Sequence, residues 1–123
     1  MKFTAIYVEP NTDSAIANLI LADPETNPDE PAVLMFSPSI EFQDSSYYFE
    51  VNDPSLDHYG GLKLVQVSRD SLEIQLEPGV VEEFGNEDLA TVQVTLEIDD
   101  QNYQSMLEAL KNIFANEKIL VVN

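Results

Sequence analysis

The chain contains no cysteine and no tryptophan, one histidine, four glycines and only five basic residues among 123. Without thiols there is no disulfide framework, no thiolate metal site and no cysteine nucleophile, and a reducing compartment suits it. A lone imidazole, His58, cannot pair with a second to build a histidine metal site. Five bases leave no basic stripe, so nucleic acid and anionic membrane are disfavoured as partners, each phosphate meeting a field of its own sign. The paired glycines Gly60-Gly61 lack the Lys-Ser/Thr that completes a phosphate loop. No apolar run approaches the roughly 20 residues needed to cross a bilayer. The opening Met1-Lys2-Phe3-Thr4-Ala5-Ile6-Tyr7-Val8-Glu9 is too short in apolar length for a signal peptide, and the expected location is the cytosol.

What is present in excess is acid. Twenty-three carboxylates give a net charge of −18 and a pI near 4.1, which favours a cationic partner. A hydrophobic content of 44% in periodic segments argues for a packed core rather than disorder. The length fits one domain over residues 1–123.

The strongest patterning runs from Thr91 to Phe114. Val92, Val94, Leu96 and Ile98 alternate with Thr91, Gln93, Thr95 and Glu97, the period of a strand with one dry face. Asp99 or Asp100 then caps a helix whose Tyr103, Met106, Leu107, Leu110, Ile113 and Phe114 recur at helical spacing, with Lys111 near its negative end. Upstream, strands are expected over Lys2–Val8, within Ser14–Ala22, and at Ala32–Phe36, Ser46–Val51, Leu62–Val67 and Ser71–Glu77. Residues 23–31 carry three prolines and read as an exposed loop, and Glu41–Ser46 as a connector. Asn52–Gly61 reads as the loop of a long hairpin. The apolar phase slips between Leu64 and Val65, pointing to a bulge or to two covered faces. Val80–Gly85 looks like one helical turn closed by glycine, and the apolar tail Lys118–Val122 should dock as a short strand or against the helix. The fold class is α+β, a mostly antiparallel β-sheet with one main C-terminal helix packed on one face.

Candidate chemistry is sparse. His58 lies between Asp57 and Tyr59, but no nucleophile accompanies it. Asp23, Glu25, Asn27 and Asp29 alternate as calcium ligands do, yet prolines interrupt them and the glycine of a calcium loop is missing. Glu50, among Tyr47, Tyr48 and Phe49, comes nearest to a carboxylate in an apolar setting, and alternation makes it an outward strand residue. What recurs is outward carboxylates interleaved with tyrosines, the arrangement an interface for a cationic protein would use. The candidate contact residues are Tyr47, Tyr48, Glu50, Asp53, Asp57, His58, Tyr59 and Glu73. An acidic accessory or structural subunit of a larger assembly, and a small hydrolase using Glu50 or His58, stand as alternatives.

From Ser46 onward the order Tyr47-Tyr48-Phe49-Glu50-Val51-Asn52-Asp53, Tyr59-Gly60-Gly61-Leu62, Ser68-Arg69-Asp70-Ser71-Leu72-Glu73-Ile74, then Leu110, Ile113 and Phe114 resembles the immunity protein family numbered ten. Those are small intracellular proteins of bacterial polymorphic-toxin systems, encoded beside the toxin that they block. The resemblance implies a partner, the cognate toxin, and implies no catalytic residue, metal or other cofactor. Where the family often carries Gln after the Asp at 53, this chain has Pro54, so that amide is not available for a contact. Many toxins that attack nucleic acid are basic, and a charge of −18 suits a plug for such a cleft.

Overall fold

A computed structural model describes residues 2–11, 18–23, 32–38, 47–115 and 117–123. Ten strands, β1 (Lys2–Ala5), β2 (Tyr7–Asn11), β3 (Asn18–Asp23), β4 (Ala32–Pro38), β5 (Tyr47–Val51), β6 (Asp53–Tyr59), β7 (Leu62–Ser68), β8 (Ser71–Leu76), β9 (Thr91–Leu96) and β10 (Leu120–Val122), accompany helices α1 (Pro78–Phe84) and α2 (Asp100–Ile113). The expected single sheet is two. The first has the order β1-β9-β8-β7-β10 and the second β2-β3-β4-β5-β6. Pairing is antiparallel except at the edges of the first sheet, where β1 lies parallel to β9 and β10 parallel to β7.

The chain changes sheets at two corners. Within the expected first strand, Ala5 pairs with Leu96 of the first sheet and Tyr7 with Ala22 of the second, so the strand splits at Ile6. The Ile6 amide donates to the Ala22 carbonyl (3.2 Å) and the Glu97 amide to the Ala5 carbonyl (2.9 Å), so the crossover is tied to both sheets. At the other corner, Gly60 and Gly61, at φ of 71° and 89°, carry β6 into β7. Only glycine has room at the second position: a Cβ on Gly61 would lie 2.4 Å from Val80 Cγ2.

Both sheets bury one face in a shared core. In the second sheet the register aligns Val8, Leu21, Leu34 and Val51 in one buried row and Leu19, Phe36 and Phe49 in another. The first sheet contributes Val65, Ile74 and Val92 in register, then Val67, Leu72 and Val94. Helix α2 adds Tyr103, Met106, Leu107, Leu110 and Ile113 and lies against β2, β3 and β4. At its C-terminal end Phe114 packs edge-on to Phe36 (5.7 Å) and against Tyr47 (5.0 Å). The Asp99 carboxylate caps its start, accepting from the Asn102 amide at 2.7 Å. Arg69, in the turn between β7 and β8, clamps that end by donating to Asp100 and to the Ile98 carbonyl, with its guanidinium 5.0 Å from the Tyr103 ring centre.

Several expectations meet the structure directly. The phase slip expected between Leu64 and Val65 corresponds to a register shift one step upstream, between Leu62 and Leu64, so the bulge is the reading that holds. The glycine-closed turn is α1, seven residues long, with Pro78 in its first turn and Gly85 in the left-handed region after it. The tail forms β10. Strand β4 runs on through Ser37 and Pro38, where a stop was expected, because pairing with Tyr48 and Tyr47 outweighs the local signal. The largest departure is Asn52–Gly61: the chain turns back at Asn52 alone, at φ 63°, and residues 53–59 return as β6, paired to β5. Asn52 stitches the turn to β4, its amide donating to the Val33 carbonyl (2.7 Å) and its Oδ1 accepting from the Val33 amide (3.0 Å). The expected connector at 41–46 and all of the proline-rich loop but Asp23 lie outside the described residues. Asp23 itself ends β3 and is nearly buried. Among the described residues no helix is long and apolar enough to cross a membrane.

Candidate functional site

Strand β6 decides which of the candidate residues share a surface. Period-two alternation turns Asp57 and Tyr59 to one side of the second sheet and His58 to the other. Register then places Asp57 opposite Glu50, and Glu50 opposite Met35, which pairs with Ile20. Tyr59 lies opposite Tyr48, and Tyr48 opposite Ser37. The outer face of this sheet therefore carries Ile20 and Met35, half-buried, running into Glu50 and Asp57, with Tyr48 and Tyr59 as the next row.

Tyr48 organises that face. Its hydroxyl donates toward Glu50 Oε1 and toward Asp57 Oδ2, the latter at 2.9 Å, so one hydrogen serves two carboxylates. Burial, followed by these two carboxylate partners, pushes the phenol well above its ordinary value of 10.0, because a phenolate there would be a third negative charge. The Tyr48 ring meets that of Tyr59 at 4.9 Å between centres, and Tyr59 keeps 47% of its surface exposed. The chain's only cations are Lys2, Lys63, Arg69, Lys111 and Lys118. Among the described residues none of them pairs with Glu50 or Asp57, and the arginine is engaged by Asp100. What the face offers a visitor is carboxylate lone pairs and ring faces, both of which attract a cation.

The other candidates are dispersed. Tyr47 is 3% exposed, and its hydroxyl accepts the Leu62 amide at 2.9 Å, so its expected place on a binding surface is corrected to a place in the core. Burial raises its phenol, the Leu62 N–H pulling the other way. His58 faces α1: its Nδ1 is 2.9 Å from the Gly60 carbonyl and its Nε2 3.2 Å from Glu83 Oε2, with Phe49 alongside at 6.5 Å. Both ring nitrogens are engaged within the corner, so His58 latches α1 to β6. Glu73 belongs to the other sheet, where Gln93 and Gln75 donate to it and hold its carboxyl below the usual range. Asp53 pairs through its backbone with Val51 at the start of β6. Ile20 and Met35 were missed, although alternation about Leu34 places Met35 on the same side as an outward residue. Among the described residues no group of three or more His, Asp or Glu is gathered to hold a metal ion.

A separate cavity of about 570 Å³ opens between α1 and the short 3₁₀ turn Glu87–Leu89, lined by Leu76, Pro78, Val81, Glu82, Glu87 and Ala90 among others.

Among known proteins, the family model described as Immunity protein 10 matches residues 2–104. No curated protein and no solved structure matches the chain.

Proposed function

We propose that this chain, which belongs to the Immunity protein 10 family, neutralises a cognate bacterial toxin by stoichiometric binding through the outer face of its second sheet. The family supplies the immunity role; the face, the toxin's basic character and a site of action in the cytosol of the toxin-producing cell are our reading. The observation that carries it is Tyr48, whose single hydroxyl hydrogen is shared by Glu50 and Asp57, in register on neighbouring strands, while among the described residues no cation of the chain attends them. Like charges directly opposite each other in a sheet are destabilising, so their retention on a half-exposed face suits a surface whose counter-charge arrives from outside. Tyr59 provides an exposed ring beside them, and Ile20 and Met35 an apolar margin, the mixture found at the centre of protein interfaces. The net charge of −18 would also steer a basic protein toward the complex. A basic nuclease fits this electrostatic requirement, its own substrate being anionic.

The test is co-expression with the toxin domain encoded beside this chain, followed by titration of the two purified proteins. Protection of the cell and a complex whose affinity falls steeply with added salt are expected. Absence of both rescue and complex at micromolar concentration rejects the proposal. An affinity indifferent to salt would reject the steering while leaving inhibition in place.

A further inference from the structure

The cavity behind α1 is chemically unlike the sheet face. Leu76, Pro78, Val81 and Ala90 line it with hydrocarbon, and its polar lining comes from Asn86 and from two exposed carboxylates, Glu82 on α1 and Glu87 at the start of the 3₁₀ turn. At about 570 Å³ it falls within the range of roughly 300–1,000 Å³ typical of ligand-accepting clefts. Helix α1 ends in Glu82-Glu83-Phe84 with no basic residue in its last turn, which places like charge at the negative end of the helix dipole. Glu83 is relieved by His58. Among the described residues Glu82 has no such counter-charge. On the far side of Ala90 a smaller cavity holds Lys2 with Glu87 and Asp88, but Lys2 does not line the larger one.

We infer that this cavity receives an arginine or lysine side chain of the toxin, the hydrocarbon stem lying on Leu76, Val81 and Ala90 and the charged head set between Glu82 and Glu87. The inference rests on the immunity reading and adds a second point of attachment to it. The occupant follows from two features together. The two carboxylates repel anions and draw a cation, while among the described residues no third acidic or imidazole group joins them to hold a bare metal ion, and the hydrocarbon lining suits a long aliphatic stem. The same helix carries Glu83 against His58, which alternation turns to the opposite side of the second sheet from Tyr59, so the cavity is a point of attachment distinct from the tyrosine face.

The experiment titrates the neighbouring toxin domain against four forms of the full chain. These are the wild type, Glu82→Gln with Glu87→Gln, Ala90→Leu, and a charge-matched control, Glu97→Gln with Glu108→Gln. Glu82, Glu87, Glu97 and Glu108 are all exposed, so both double variants should fold, and the control removes the same charge elsewhere. The rim variant is expected to bind at least tenfold more weakly than the control, chiefly through faster dissociation, and Ala90→Leu, which enlarges a side chain of the lining, to lose a comparable factor. Equal affinity of the rim variant and the control overturns the inference, whatever Ala90→Leu does. If a complex forms, depends on Asp57→Asn and ignores the cavity variants, the cavity assignment fails and the sheet face stands. If the wild type forms no complex at all, the immunity reading falls and takes the cavity assignment with it.

Discussion

Replacing Tyr48 by phenylalanine removes one oxygen and leaves the ring against Tyr59, so it isolates what the hydroxyl does for the two carboxylates that it bridges. A hydrogen bond to a charged group contributes about 1.5–3 kcal/mol when well shielded. Here Asp57 is exposed and Glu50 half-buried, so water replaces part of the loss and the lower end applies. The bare Glu50–Asp57 pair, directly opposite in register, adds about 0.2–1 kcal/mol of repulsion. Tyr48→Phe should therefore cost about 1–2 kcal/mol at neutral pH, a fair share of the roughly 5–15 kcal/mol that stabilises a domain. Urea unfolding followed by circular dichroism measures it, and the deficit should shrink in high salt as the repulsion is screened. Adding Asp57→Asn removes the like charge, so the phenylalanine should then cost less, a coupling visible in a double-mutant cycle. The alkaline limb gives an independent check. The folded phenol titrates above the unfolded value near 10, so its contribution is complete below that pH and is lost as pH climbs toward the folded value. The wild type should lose stability above about pH 10 more steeply than Tyr48→Phe. A neutral-pH change below about 0.3 kcal/mol, with identical alkaline limbs, would refute the bridging role of the hydroxyl.

Three further substitutions probe the scaffold. Gly61→Ala puts a Cβ 2.4 Å from Val80 Cγ2 and 2.9 Å from His58 Nδ1 at a φ of 89°. It should destabilise by about 2–5 kcal/mol, combining left-handed strain with overpacking, and Val80→Ala should restore the overlap part only; thermal melts of the single and double variants decide this. Gly79, within α1, has open space for 4 Å around the point where a methyl group would sit and no left-handed φ, so Gly79→Ala should stabilise by about 0.5–1 kcal/mol in chemical denaturation. Arg69→Lys keeps the charge but loses the fork that holds Asp100 and the Ile98 carbonyl over the Tyr103 ring. A loss of about 1 kcal/mol in urea is expected, as much as Arg69→Met if geometry rather than charge matters.

The stretch from Thr91 to Phe114 could be read from sequence because both of its periods are local: alternation for β9, helical spacing for α2, and a cap at Asp99. The bulge in β7 was legible for the same reason, as a visible slip of phase. Strand β6 was not. Asn52, Asp53, Pro54 and Ser55 are turn residues by chemistry, and only pairing with β5 makes the segment extended. That one misreading hid which of the candidate residues share a face, since a loop has no faces, whereas a strand sends Asp57 and Tyr59 out and His58 in.

Sequence alone determined the acidic excess, the α+β class and the fact that Tyr47 and Tyr48 must point to opposite sides, since adjacent strand residues always do. Which of those sides is covered was settled only by tertiary structure, when Phe114, arriving from the far end of the chain, packed on Tyr47 and left Tyr48 beside Glu50 and Asp57. The same distinction separates Glu73 from the tyrosine face: its outward alternation is local, but membership of the other sheet depends on where the chain crosses at Ile6 and at Gly60-Gly61. Periodicity fixes orientation relative to a neighbour in sequence, and burial is fixed by neighbours in space.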